Sequence, residues 1–337
     1  MINEDPAFPH TVSLETFESL SPCWADPLPS LNWTCPFVLP PWLRVWWDHF
    51  GDGFSPLLLS INREGRCLGL APLMVQAGKA RFMGSPDVCD FQELIFPEGQ
   101  EEPFLKLLLN HLRSIGIREL VLEPLRGDTA FFQVLSRLPE TEGQSLTIRP
   151  IDVLLEMDLP DSWKDFLQGI PGKERHEIRR KLRRLEESGP VRYRIVETTG
   201  SLEEAMTTFL DLFRSSRPDK KEFMTEQMAS FFRSLAGAMA GVGLLRLYFL
   251  DLHEQPVASV LCFDYRSTLY LYNNGYDERY RALSLGLLSK IFTIQDSIRK
   301  GRRLYNFLKG AEAYKYRLGG KPVPLYQGRI AFTSSLD

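Results

Sequence analysis

The chain has 337 residues, of which 44% are hydrophobic and 25% are charged, a composition typical of a globular protein large enough for two domain cores. Its formal net charge is −3, which excludes the broad positive field of a non-specific nucleic-acid binder. We therefore do not expect nucleic acid as a partner.

The N-terminus, the length of the apolar runs and the cysteines indicate a cytoplasmic protein. The N-terminus, "MINEDPAFPHTVSLETF", lacks a basic segment followed by an apolar core, so it does not resemble a secretory signal. No apolar run reaches the roughly 18–20 residues of a transmembrane helix. The cysteines stand singly, which favours reduced thiols over a zinc site or a disulfide framework: Cys23, Cys35, Cys67, Cys89 and Cys262.

The first half predicts mixed α and β structure. A helix is predicted over 40–51, where Trp42, Trp46 and Phe50, beside Trp47, form a stripe that favours core packing over stacking on a sugar ring. The elements predicted next are a hairpin of strands 55–62 and 66–78, a strand over 91–96, a helix over 101–116 and a strand over 117–125.

The second half predicts a clearer order. Ser201 and Glu204 have the spacing of a capping box at a helix start. The predicted elements are helices over 161–170 and 173–189, strand 191–197, helices 201–216 and 222–240, strands 244–252, 257–265 and 268–276, helix 284–301, strand 303–310, a short helix, and strand 324–332. This is the order of an α/β protein with a mixed sheet, an α+β arrangement.

The two halves also resemble each other. The segment "RCLGLAPL" corresponds to "QPVASVLCF", and "RSIGIRELVLEPL" corresponds to "RKGRRLYNFLKG" about 185 residues later. A spacing this long indicates a duplicated domain, because solenoid repeats run about 20–50 residues.

The segment 173–189, "KERHEIRRKLRRLEESG", is strongly basic. Its apolar stripe of Ile178, Leu182 and Leu185 predicts a helix with one side packed on the protein. The charges surround most of the circumference, and Glu177–Lys181 and Arg183–Glu187 have ion-pair spacing. We expect a mainly structural surface helix, or one whose flank attracts an anionic ligand, rather than a nucleic-acid helix.

A phosphate site is predicted in 272–290, "YNNGYDERYRALSLGLLSK". The first amides of a helix lack internal acceptors and attract phosphate. Here Ser284 caps or donates, Gly286 permits close approach, and Arg281 supplies a guanidinium. The alternative is an ordinary capped helix.

Three strands leading into a helix that begins "R-x-x-S-x-G-x-L" resemble the GNAT acyltransferase fold and its pyrophosphate loop. The segments "FLKGAEAYKYRLGG" and "PPWLRVWWDHFG" resemble its CelD-like, FemAB-related branch. The resemblance implies two tandem GNAT-like acyl-CoA N-acyltransferase domains. Their expected bounds are an N-terminal extension over 1–34, a domain over 35–157 with a degenerate donor site, linking helices over 158–189, and a C-terminal domain over 190–337.

The resemblance implies transfer of an acyl group from acyl-CoA, or an acyl carrier protein, to an amine acceptor, without a metal. Such relatives occur with cellulose, exopolysaccharide or cell-envelope biosynthesis. Arg281, Ser284, Gly286 and Leu287 would form the donor loop, although many members have glycine where Ser284 stands. The first copy has the acidic "FPEGQEEPFL" in that place.

The reaction needs a base, oxyanion donors and an acid for the leaving thiolate. The predicted catalytic residues are Asp277 as base, Tyr314 as proton donor, and Lys315. Arg217, Lys309 and Glu312 are predicted to bind substrate, with helix capping as the alternative for Arg217. We expect His253 and His176 to lie at the surface.

Two other functions remain open at this stage. One is a FemAB-like transferase that uses an aminoacyl-tRNA donor, and the other is a non-catalytic assembly or binding module.

Overall fold

The structure, a computed structural model, describes residues 10–25, 31–64, 66–139 and 143–332. Its described residues form two compact units. Unit 1 extends to Asp152 and resumes at Val323, and unit 2 covers Val153–Pro322. The chain passes from one unit to the other within two strands, Gln144–Asp158 and Lys321–Phe332.

The strands of the described residues are β1 (His10–Leu14), β2 (Ser55–Arg63), β3 (Arg66–Gln76), β4 (Lys79–Phe82), β5 (Glu119–Arg126), β6 (Gln144–Asp158), β7 (Val191–Val196), β8 (Leu245–Leu252), β9 (Gln255–Tyr265), β10 (Thr268–Tyr276), β11 (Leu304–Lys309) and β12 (Lys321–Phe332). The helices are α1 (Phe17–Ala25), α2 (Pro40–Phe50), α3 (Glu101–Ser114), α4 (Ala130–Ser136), α5 (Trp163–Gly169), α6 (Gly172–Glu187), α7 (Leu202–Ser216), α8 (Pro218–Phe223), α9 (Glu226–Gly241), α10 (Leu285–Arg299) and α11 (Ala313–Arg317).

Unit 1 has the strand order β1-β2-β3-β4-β5-β12. Its pairs are antiparallel except β4 with β5, which run parallel. The apolar side of α3 covers this sheet, since Phe104, Leu108 and Leu112 are buried in one cluster with strand residues such as Leu73 and Leu120. Of the aromatic stripe of α2, Trp42 and Trp46 are core residues, as predicted, whereas Phe50 is only partly buried.

Unit 2 has the strand order β6-β11-β10-β9-β8-β7. Here β10 and β11 are the parallel pair, and the other pairs are antiparallel. Helices α7 and α10 both pack against β9 and β10. The core around α10 includes Ile291 and Ile294 from the helix and Tyr305 and Phe307 from β11.

Each unit contains the same succession of three antiparallel strands, a helix and a strand parallel to the third. In unit 1 these are β2, β3, β4, α3 and β5, and in unit 2 they are β8, β9, β10, α10 and β11. The mixed α/β fold class is confirmed, and the correspondence between the halves noted in the sequence falls on equivalent elements.

The compact units differ from the predicted boundaries in two places. The helices expected to link the copies, α5 and α6, lie inside unit 2 because Phe166, Leu167 and Ile178 are buried in its core. The last strand, predicted as part of the second copy, lies in unit 1, where β12 pairs with β5.

Two local predictions are wrong. Residues 91–96 form no strand, and their only ladder contact is an isolated bridge from Ile95 to Leu70. The capping box at Ser201 does not form, because that residue ends a 3₁₀ turn, Thr199–Ser201, and its side chain accepts no helix amide.

The basic segment forms α6, as predicted. Ile178 and Leu185 are each 1% exposed, and Leu182 is partly buried beside them. Glu177 pairs with Arg180 at 2.8 Å rather than with the predicted Lys181.

Candidate active site

The parallel strands β10 and β11 separate partway along their length. Their pairing covers only Thr268–Tyr270 against Leu304–Asn306. Beyond it β10 continues to Tyr276 and β11 to Lys309. We call the space between these diverging ends the wedge.

Irregularities in both strands produce the wedge. On its β9 side, β10 has an irregular register between Leu271 and Asn273. On its β6 side, β11 has one between Asn306 and Leu308. An extra residue bends a strand and increases its twist, so the two neighbours diverge at the same level. A central parallel pair is thereby opened at the carboxyl ends of its strands, where ligands of α/β sheets bind.

Helix α10 follows β10 and begins with unsatisfied amides. Ser284 adopts the left-handed conformation, with φ of 58°, and its carbonyl accepts hydrogen bonds from Leu287 and Leu288. The amides of Leu285 and Gly286 have no acceptor within the described part of the chain. These donors at the positive end of the helix dipole suit a phosphate oxygen.

The predicted donor-loop residues meet at this helix start. Arg281 is exposed, and no acidic partner of its side chain lies among the described residues. Gly286 has a packing function as well, because a Cβ there would lie 2.8 Å from Cε1 of Tyr276. Leu287 is partly buried against the core around α10.

A lysine of α10 lies beside this loop and was not predicted from sequence. Lys290 is 7% exposed, its Nζ donates to the Gly286 carbonyl at 2.6 Å, and it lies 4.8 Å from the centroid of the Tyr314 ring. Burial, with the neighbouring charge of Lys220, lowers the pKa of Lys290 to about 7. Near neutral pH its amine therefore exists in both protonation states.

A second unpredicted lysine lies on the β10 side of the wedge. The Nζ of Lys220 donates to the Asn274 carbonyl, beyond the point where β10 leaves β11. It also lies 4.7 Å from the centroid of the Phe213 ring. Burial, followed by the charge of Arg217, lowers the pKa of Lys220 to about 8.

Lys315 lies on the β11 side. Its Nζ donates to the carbonyls of Leu308, Lys309 and Gly310 at 3.1, 2.5 and 3.1 Å, and it pairs with Glu312 at 2.9 Å. An ammonium has three donors, so these acceptors occupy it fully. Lys315 therefore holds the backbone after β11, an arrangement that disfavours it as a proton acceptor.

Lys220, Lys290 and Lys315, which we call the wedge lysines, thus approach one another from three elements. The positive charges of Lys220 and Lys315 lower the pKa of Lys290, and the carboxylate of Glu312 raises it. The cluster is positively charged in a poorly solvated place, where it stabilises an anion more strongly than it would in water. One feature of the sequence indicates this cluster: Lys290 is the only charged residue between Arg281 and Asp296.

Tyr314 lies at this cluster. Its ring packs edge-on against Phe307 at 6.4 Å, and burial raises the pKa of its phenol. The phenol therefore stays protonated at neutral pH, and the raised pKa makes it a weaker acid than a solvated tyrosine. The proton-donor role of Tyr314 stays a prediction.

Asp277 does not have the environment expected of a base. Its carboxylate accepts the Arg279 amide at 2.9 Å and pairs with that guanidinium at 2.7 Å. These hydrogen bonds lower the pKa of Asp277. The carboxylate caps the 3₁₀ turn Glu278–Leu283, so we omit Asp277 from the proposed chemistry.

The predicted substrate-binding residues occupy different settings. Arg217 forms a two-pronged pair with Asp219, at 2.9 and 2.8 Å, between α7 and α8. Lys309 is half-buried at the end of β11. Glu312 neutralises Lys315. Of the histidines, His253 lies in the turn after β8, 3.0 Å from the Ser188 carbonyl.

No cluster of three or more His, Cys, Asp or Glu side chains among the described residues is arranged to hold a metal ion. Within the same residues, no helix is both long and apolar enough to cross a membrane.

Comparisons with known proteins give a family match within unit 2 and structures of similar fold. Residues 172–316 match the family model of an acetyltransferase (GNAT) domain, and they lie within unit 2. No curated protein sequence matches the chain.

Solved structures share the fold at low sequence identity. The crystal structure of FemX is 12% identical, with a TM-score of 0.64 over 94% of this chain and 96% of its own. A conserved protein of unknown function from Bacteroides thetaiotaomicron is 11% identical, with a TM-score of 0.56 over 87% and 90%. The C-terminal domain of a putative lysylphosphatidylglycerol synthetase from Agrobacterium fabrum is 12% identical, with a TM-score of 0.53 over 78% and 80%.

Proposed function

We propose that unit 2 is an N-acyltransferase that takes an acyl group from the thioester of a phosphopantetheine and transfers it to an amine. The observation that carries the proposal is the wedge between β10 and β11, which adjoins a helix start with free amides. The match of residues 172–316 to a GNAT domain supports it.

The donor would lie along the wedge. Its pantetheine arm would occupy the space where β10 and β11 no longer pair, beyond Tyr270 and Asn306. Its phosphates would meet the Leu285 and Gly286 amides, with Arg281 as a guanidinium partner. Arg217, Lys309 and Glu312 remain proposed contacts of the acceptor.

The wedge lysines and Tyr314 suit the reaction. The neutral amine of Lys290 would accept the proton that the acceptor amine loses as its nitrogen bonds to the thioester carbonyl carbon. The cluster's positive charge would stabilise the resulting oxyanion. When the carbon–sulfur bond breaks, the Tyr314 phenol would protonate the leaving thiolate.

A thermal-shift and native-mass screen with CoA, acetyl-CoA and long-chain acyl-CoA tests the donor. We expect at least one of them to bind and raise the melting temperature, and free thiol to be released when an amine is added. A folded protein that binds none of them would contradict a CoA donor.

Aminoacyl-tRNA is the second candidate donor, and the shared fold with FemX over 94% of this chain favours keeping it. If aminoacyl-tRNA is the donor, parallel assays should show transfer from aminoacyl-tRNA and no binding of CoA thioesters. Transfer from neither donor would favour the non-catalytic module. The proposed setting is polysaccharide or cell-envelope biosynthesis in the cytoplasm, with an acyl carrier protein as the alternative carrier of the thioester.

A further inference from the structure

A second concave site lies between α5 and α6, and its lining shares no residue with the candidate active site. It is a cavity of about 420 Å³, a size within the range of small-molecule sites. The side chains used in the argument below line it: Trp163, Lys164, Leu167, Arg175, His176 and Arg179. The proposed acyl transfer assigns no function to any of them.

The lining carries unbalanced positive charge. Among the described residues, neither Lys164 nor Arg179 has an acidic partner, and the Arg175 guanidinium donates to the Leu167 carbonyl at 3.4 Å. Three cationic side chains and an imidazole thus surround one cavity. Their mutual repulsion is relieved when an anion binds among them.

The acidic residues of the same part of α6 are engaged elsewhere. Glu174 lies 3.7 Å from Arg317, and Glu177 pairs with Arg180 at 2.8 Å. Neither lines the cavity. Neither Glu174 nor Glu177 therefore balances the cationic side chains of the cavity, whereas Glu177 does pair with Arg180.

An aromatic plane completes the site. Trp163 is half-buried, and its ring stacks on Phe166 with centroids 4.8 Å apart and planes 20° from parallel. Phe166 is itself buried in the core. The indole is thus held against Phe166 while it lines the cavity, and such an aromatic surface stacks on a flat heterocycle.

We propose that the cavity between α5 and α6 binds a mononucleotide, with its base on Trp163 and its phosphates among Lys164, Arg175 and Arg179. A bare anion would leave the indole unused, and an uncharged nucleoside would leave the cations unpaired. None of its lining residues belongs to the donor loop from Arg281 to Leu287, so the proposal does not depend on the acyl-transfer reaction.

The site has an internal reporter. Five of the six tryptophans precede residue 48, and Trp163 is the remaining one. We therefore propose titrating the full chain with ADP, adenosine and pyrophosphate while following tryptophan fluorescence and binding heat. The Trp163→Phe variant identifies the fluorescence change that comes from the cavity.

The proposal predicts that ADP binds at least tenfold more tightly than adenosine or pyrophosphate and changes the Trp163 fluorescence. Arg179→Gln should weaken ADP binding about tenfold or more. Arg184→Gln is the matched control, because Arg184 is exposed on the same helix and does not line the cavity; it should leave ADP affinity unchanged.

Three results would overturn the proposal. They are no ADP binding to the folded protein, pyrophosphate binding as tight as that of ADP, or equal effects of Arg179→Gln and Arg184→Gln. Loss of ADP binding in Ser284→Asp, with Arg179→Gln unaffected, would place the nucleotide at the donor loop and also contradict it.

Discussion

The Nζ of Lys290 lies 4.8 Å from the ring centroid of Tyr314 and donates to the Gly286 carbonyl. One buried amine thus joins the start of α10 to the phenol on α11. The two side chains proposed to move protons are therefore neighbours, although 24 positions separate them in sequence.

The buried amine predicts a pH-dependent stability. The pKa of Lys290 falls from 10.5 to about 7 on folding, so between these pH values the unfolded chain binds more protons than the folded one. The free energy of unfolding should then rise with pH across this window, by up to about 1.4 kcal/mol per pH unit for one lysine. Urea unfolding at pH 7, 8 and 9 measures it.

Lys290→Met should reduce that slope, because it removes one of the two buried lysines with a lowered pKa, the other being Lys220. Lys221→Met is the control, since Lys221 is exposed beside Lys220, and it should keep the slope of the wild type. Equal slopes in Lys290→Met and the wild type would show that Lys290 titrates as it does in water.

The phenol of Tyr314 gives a kinetic prediction. Tyr314→Phe should slow thiol release in the acyl-transfer assay by about 10²-fold, the usual contribution of a general acid, while the Kd of the donor stays unchanged. Tyr316→Phe is the matched control, because Tyr316 is 42% exposed on the same short helix. A loss confined to donor affinity in Tyr314→Phe would argue against proton donation.

Close packing of β10 on α7 gives a stability prediction. A Cβ at Gly275 would lie 2.5 Å from the carbonyl carbon of Leu212, so Gly275→Ala must displace helix backbone and should destabilise by about 3 kcal/mol. Gly237, inside α9, has no atom within 4 Å of the same position. Gly237→Ala should instead stabilise by about 0.5–1 kcal/mol, and chemical denaturation distinguishes the two.

The sequence predicted unit 2 better than unit 1 for a physical reason. The strands from β8 to β10 are apolar runs bounded by turns, and α10 has clear helical spacing. By contrast β6 was missed, because Ser145, Thr147 and Arg149–Asp152 are exposed and its first part therefore lacks the apolar pattern of a buried strand. Residues 91–96 are buried but form no ladder, so their apolar pattern was misleading.

The site was predictable only where one segment builds it. The loop from Arg281 to Leu287 is contiguous, so its residues could be named from spacing. The wedge lysines come from α8, α10 and α11, and their convergence is a property of the tertiary structure. Asp277 differs from the environment expected of a base because Arg279, two residues later in sequence, pairs with its carboxylate.

The most direct test of the donor site is a calorimetric titration of CoA into Ser284→Asn and Ser284→Asp. Both side chains tolerate the left-handed conformation at this position, and an acidic group at a helix start does not destabilise it, so both variants should fold. They differ by one negative charge where the phosphates are proposed to bind. The account predicts that Ser284→Asn binds CoA like the wild type and that Ser284→Asp binds at least tenfold more weakly. Equal affinities in the two variants, or no binding of CoA by the wild type, would contradict it.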